Sequence, residues 1–218
     1  MRSSRRLTLV AALSVAAVMA GTGVAQADHW RGGEPRHDVT GYRVDSAPEP
    51  CGTVTDVDAA ADTTTDITSL GVRHLRDSVV LVVHFADLKR WGHHSTEFAI
   101  RTNERDYTVD VSRYETGGAV YVELYRSTPP PEPSGECGFV AIGQSALACS
   151  HLTGEIAPRR DLVSVRVPRR CVSHPRWVRG GARSLRWHGE TAHADTWAPA
   201  GTDASGIIGP FGPRVRRN

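Results

Sequence analysis

Lysine is all but missing from this chain: Lys89 is the only one in 218 residues, and the other 25 basic side chains are arginines. Together with abundant Ala, Gly and Val, this bias reads as the product of GC-rich codon usage. The arginine count is therefore weak support for phosphate binding. Closely spaced cysteine pairs are missing as well. Cys51, Cys137, Cys149 and Cys171 form no CxxC, which argues against zinc and thioredoxin-like chemistry. Aromatic residues make up 6% of the chain. No segment after residue 27 carries a convincing amphipathic helical period, no internal repeat is found, and only one long apolar run occurs.

That run lies at the N-terminus. Arg2, Arg5 and Arg6 precede the uncharged stretch Leu7–Ala20, and Ala25-Gln26-Ala27 places small residues at the −3 and −1 positions of a cleavage site. The pattern predicts a signal peptide over 1–27, cleaved after Ala27, and a secreted protein without a stable membrane anchor. Three of the 26 basic residues and none of the 24 acids fall in that segment, leaving 23 against 24 in the remainder. A nearly neutral mature chain gives no electrostatic support for a nucleic-acid partner.

The mature part is long enough for one domain with a real core. Short runs at period two begin at Asp66: "DITSLGVRHL", "DSVVLVVHFADL", "STEFAIRT", "RDYTVDV" and "GAVYVELY", then "CGFVAIG", a strand around Leu152 to Ile156, "DLVSVRVP" and "RWVRGGA". In the second run Val79, Leu81, Val83 and Phe85 share one face, while Val80, Val82 and His84 share the other. Two largely apolar faces predict a central strand covered on both sides. Eight or nine short strands separated by Gly, Pro and Asp punctuators predict an all-β fold, an antiparallel β-sandwich of jelly-roll type over 51–187. Residues 28–50 read as an irregular arm and 188–218 as a surface or mobile tail.

The hairpin "DITSLGVRH…DSVVLVVHFADL" is similar to the opening of DOMON-like and family 9 carbohydrate-binding sandwiches. The segments "VPRRCVSHPRWVR" and "GPRVRR" resemble a group of secreted actinobacterial proteins of unassigned activity. The first resemblance implies a fold. Neither implies a chemistry.

Catalytic motifs are weak. Cys171 sits between Arg169, Arg170 and His174, neighbours that favour a thiolate, but an even number of cysteines in an oxidising compartment predicts two disulfides. A turn near 157–161 would bring Cys149 and Cys171 together across a hairpin, leaving Cys51 for Cys137, with Cys137–Cys149 as the alternative. "GQSAL" begins like a nucleophile elbow but has Leu147 where the last glycine belongs, and no helix follows.

Binding motifs are more open. The loop after the central strand carries Trp91, His93 and His94 as candidate ligand-binding residues. Adjacent histidines on extended chain face opposite ways, so they seldom ligate one ion together. "DVDAAADTTTD" gathers Asp56, Asp58 and Asp62, with Asp66 at its end. These hard oxygen donors suit extracellular Ca²⁺, or else form a solvated acidic loop. Five tryptophans, at 30, 91, 177, 187 and 197, either stack on sugar rings or plug the edges of the sandwich. The expectation is a non-enzymatic binding or surface-interaction module with an extracellular glycan or cell-surface component as partner and no cofactor. The alternative is a hydrolase or metal-dependent enzyme built from loop-borne His and Asp.

Overall fold

The structure, a computed structural model, describes residues 28–45, 53–127, 144–202 and 209–217. The described chain is a sandwich of two antiparallel sheets. Chain order begins with β1 (His29–Gly33), β2 (Thr40–Asp45), β3 (Thr53–Asp58), β4 (Ile67–His74) and β5 (Ser78–Phe85). It continues through β6 (His94–Thr102), β7 (Asp106–Arg113), β8 (Tyr121–Ser127), β9 (Gln144–Ala146) and β10 (Thr153–Ala157). The last strands are β11 (Leu162–Pro168), β12 (Trp177–His188), β13 (Thr191–Thr196) and β14 (Val215–Arg216). Two 3₁₀ turns, Pro158–Arg160 and Arg169–Val172, are the only helical elements among the described residues.

One sheet has five strands in the order β1-β4-β5-β11-β10. The other runs β3-β2-β13-β12-β6-β7-β8-β9, with β14 paired to β12. Inward positions alternate along each strand as period two requires. Val79, Leu81, Val83 and Phe85 of β5 meet a layer from the other sheet that includes Phe98, Ile100, Tyr107, Val109 and Val111, all buried. Gly180 of β12 lets the layers close: a Cβ there would stand 2.5 Å from Val72 Cγ2 and 3.0 Å from Leu81 Cδ2.

Three expectations need correction. The strand β5 is central, but no layer among the described residues covers its second face, where Val80, Val82 and His84 lie half-buried on the outside of the five-stranded sheet. The arm over 28–50 contains β1 and β2, each paired in register with β4 and β13 respectively. The tail over 188–218 supplies β13 and β14, and it buries Trp197 completely. His74 Nδ1 donates to the Val215 carbonyl at 3.2 Å, which fastens β14 to the inner face of β4.

The hairpin β10–β11 forms as anticipated, Ala157 opposite Leu162, and Cys149 and Cys171 are joined by a disulfide across its open end. Cys171 is a structural cysteine. Cys51, Cys137 and the "CGFVAIG" segment at 137–143 lie outside the described residues.

Candidate functional site

The loop between β5 and β6 turns at Gly92, whose φ of +82° is left-handed and suits a residue without Cβ. Its amide donates to Thr116 Oγ1 at 3.3 Å, tying this loop to the β7–β8 connection. Trp91 is left 56% exposed.

The two histidines then part. His94 begins β6 facing the interior at 1% exposure, its Nε2 3.0 Å from Thr96 Oγ1 and its ring edge-on to Phe85 at 5.2 Å. Burial, reinforced by Arg113, His93 and Arg186, pushes its pKa down to about 3. A surface ligand cannot reach it, because the alternation of the strand sends the first residue of β6 inward. His93 faces the other way and tilts onto Tyr114, ring centroids 5.3 Å apart. Burial lowers its pKa, against a raising effect of Asp110.

Tyr114 in turn lies 5.5 Å from Tyr121, and the two rings are 60% and 53% exposed. The strand register extends this row. Leu185 pairs with Ser95 and His94 with Arg113, so the same register carried outward sets Trp187, His93 and Tyr114 at one level of the nine-stranded sheet. Trp187 meets Tyr42 edge-on at 5.7 Å. Trp187, His93 and Tyr114 thus share one row of the outer face, with Tyr42 at one end and Tyr121, one row along and opposite Ser112, against Tyr114 at the other.

Polar groups line the adjoining rows. Ser112 stands opposite Ser95 and Tyr121. Farther along, Arg183, Glu97, Asp110 and Glu123 are successive cross-strand partners. Ser95 Oγ donates to Asp110 and Tyr125 Oη to Glu123. That hydrogen bond, with some desolvation, raises the Tyr125 pKa to about 12. Burial raises Glu97, against the lowering effect of Arg183.

The sequence-predicted acidic group does not assemble. Asp56 and Asp58 lie exposed on β3. Asp62 turns inward, where it accepts from His193 Nδ1 at 2.6 Å and lies 3.8 Å from Arg186. A different acidic group does converge: ligand atoms of Glu34, Asp38 and Asp195 all lie within 4.8 Å of one another. Burial first, then the neighbouring acids, raises Glu34 to about 10 and Asp195 to about 7. Asp66, fully buried, adds its charge to all three. The four residues come from the β1–β2 connection, the start of β4 and β13. Only Asp66 stood out in the sequence, grouped there with the wrong partners, and no local signal joins it to 34, 38 or 195.

A groove of about 420 Å³ opens on the outside of the five-stranded sheet. His29, Trp30, Arg31, Arg73, Val82 and His84 line it, an apolar floor under a cationic rim. Arg31 is engaged there by Ser69 Oγ, at 3.2 Å from Nε and 3.0 Å from a terminal nitrogen. Comparison with protein-family models, with curated proteins and with solved structures returned no match, so function must be argued from the geometry.

Proposed function

We propose that the chain is a secreted, non-enzymatic binding module that holds a neutral glycan on the outer face of its nine-stranded sheet. The observation that carries this reading is the exposed pair Tyr114 and Tyr121, backed by the half-buried His93, beside a row of carboxylates. Sugar rings present flat C–H faces that stack on aromatic side chains, and their hydroxyls donate to carboxylates and exchange hydrogen bonds with serines. Large exposed aromatics on a rigid sheet are costly unless they meet a ligand. Glu97, Asp110 and Glu123 repel polyanions, which selects neutral sugars over acidic ones.

The enzymatic alternative asks for an open concave site with converging titratable groups. The histidines of the β5–β6 loop diverge, and of the converging carboxylates of Glu34, Asp38 and Asp195 only Asp38 is exposed, with no cleft of titratable groups opening beside it among the described residues. The basic groove of the opposite sheet favours anions, so the two faces make opposite forecasts. Affinity measurements on neutral polysaccharides (glucans, xylans, mannans) and acidic ones (pectate, hyaluronan) separate them. Binding to a neutral polymer is expected, with Tyr114→Ala and Tyr121→Ala each weakening it about tenfold or more at unchanged melting temperature, in line with one lost aromatic contact. Binding to acidic polymers alone, abolished by Arg73→Ala, would move the site to the groove and overturn this assignment.

A further inference from the structure

We propose that Glu34, Asp38, Asp66 and Asp195 form a Ca²⁺ site that ties the N-terminal segment of the chain to β4 and β13. Glu34, Asp38 and Asp195 each offer an oxygen, and these oxygens lie within 4.8 Å of one another. Donors at about 2.4 Å from a common Ca²⁺ can be no farther apart than about 4.8 Å, so the spacing allows one ion to reach all three.

Asp66 supplies an independent observation. It is 0% exposed, and its Oδ1 has no hydrogen-bond partner among the described residues. Its Oδ2 accepts the His37 amide at 3.3 Å, next to Asp38, and its charge acts on Glu34, Asp38 and Asp195 alike, which places it at the edge of the trio. Both oxygens of Glu34 are likewise buried and lack a hydrogen bond of good geometry, with only the Ala198 backbone amide acting on them as a donor. Unpaired buried carboxylate oxygens are expensive, and the strongest charges acting on Glu34 are Asp195 and Asp38, of the same sign. A divalent cation removes both costs at once.

The chemistry of the donors selects the ion. All four are hard oxygens, with no imidazole or thiolate among them, which disfavours Zn²⁺ and Cu²⁺. Mg²⁺ holds its water shell and is poorly served by several buried carboxylates, whereas Ca²⁺ accepts them readily. Asp38 is exposed, so the cation has a route in from solvent. Asp195 is held ready by the Ile67 amide, which donates to its Oδ2 at 2.6 Å. The site is separate from the aromatic row, and glycan binding is not required for it.

The test uses the secreted full chain stripped with EGTA. Calorimetric titration with CaCl₂ is expected to show one site per chain. The melting temperature should rise by several degrees with CaCl₂ and far less with equimolar MgCl₂. Tb³⁺ at the same site should luminesce on indole excitation, since Trp197 is two residues from Asp195. Asp38→Asn should weaken Ca²⁺ binding tenfold or more while slightly raising the melting temperature in EGTA, because it removes a like charge, and Glu34→Gln and Asp66→Asn should abolish binding. Absence of a calorimetric signal, of Tb³⁺ luminescence and of a thermal shift would overturn the proposal. So would Ca²⁺ binding that all three variants retain, or Glu34→Gln and Asp66→Asn raising stability with Ca²⁺ silent, which would make the cluster a set of carboxyls sharing protons.

Discussion

Trp30 and Trp197 meet edge to face with ring centroids 5.2 Å apart, so the first and last thirds of the chain share one contact. Trp197 is completely buried, and its backbone amide donates to the Ala182 carbonyl at 2.9 Å. The C-terminal segment is therefore core rather than appendage. Trp197→Ala should cost about 3–5 kcal/mol, the range for removing a buried aromatic. Trp30→Ala, which empties a half-buried position, should cost less. Urea denaturation of the variants measures both, and a change under about 0.5 kcal/mol for Trp197→Ala would mean that the tail is dispensable.

The strands legible in the sequence are those whose inward residues are large and apolar at alternate positions, as in β5 and β7. The missed strands are of another kind. β1 reads HWRGG and β2 reads TGYRVD, too rich in Gly and Arg to show an apolar face. They are strands because a partner strand satisfies their backbone, which only tertiary context supplies. The site divides in the same way. His93 stands out beside Trp91 as a loop motif, but Tyr42, Tyr114, Tyr121 and Trp187 join His93 only through strand order. The acidic cluster is invisible for the same reason: residues 34, 38, 66 and 195 are brought together by topology, whereas Asp56, Asp58 and Asp62 are close only along the chain.

The bond between Cys149 and Cys171 closes a loop of sequence separation 22 across the β10–β11 hairpin, with Cα atoms 5.7 Å apart. Restricting the unfolded chain over a loop of that length contributes about 3 kcal/mol. Cys149→Ser combined with Cys171→Ser should lower the unfolding free energy by about that amount while the far-ultraviolet spectrum stays that of a β protein, because the hairpin keeps its own register. Denaturation of the double variant beside the wild type checks this. Loss of the folded state at room temperature would show the bond to be essential rather than supportive.

His94 makes stability depend on pH in a definite direction. Its folded pKa is lowered to about 3 by burial and by the nearby Arg113, His93 and Arg186, whereas an unfolded histidine titrates near 6.5. Above that pH both states leave it neutral and it contributes no slope. Below it the unfolded chain binds the proton first, so stability falls as pH drops from about 6.5 toward about 3, at up to ~1.4 kcal/mol per pH unit. His94→Gln removes the titration and can keep a hydrogen bond to Thr96. The variant's urea midpoint should vary less between pH 6 and pH 4 than the wild type's, and parallel profiles would refute the assignment.

Asp62 organises a second buried polar group among the described residues. Its Oδ1 accepts the Thr64 amide at 2.8 Å, its Oδ2 accepts Thr65 Oγ1 at 3.0 Å and His193 Nδ1 at 2.6 Å, and a guanidinium nitrogen of Arg186 lies 3.8 Å away. Burial alone would raise its pKa, but these donors and the Arg186 charge outweigh it and hold the carboxyl below its ordinary value. The stabilisation is therefore present above the ordinary aspartate pKa and is lost as pH falls through the lower folded one. The side chains of Asp62 and Arg186 are only 8% and 9% exposed. Removing the acid alone strands a buried cation, and Asp62→Ala should cost about 3–5 kcal/mol. Arg186→Met removes the cation as well, so the double variant should lose less than the two single costs added together, by about 1–3 kcal/mol. A double-mutant cycle by urea denaturation gives that coupling directly, and strict additivity would show that Arg186 does not depend on Asp62 for its charge balance.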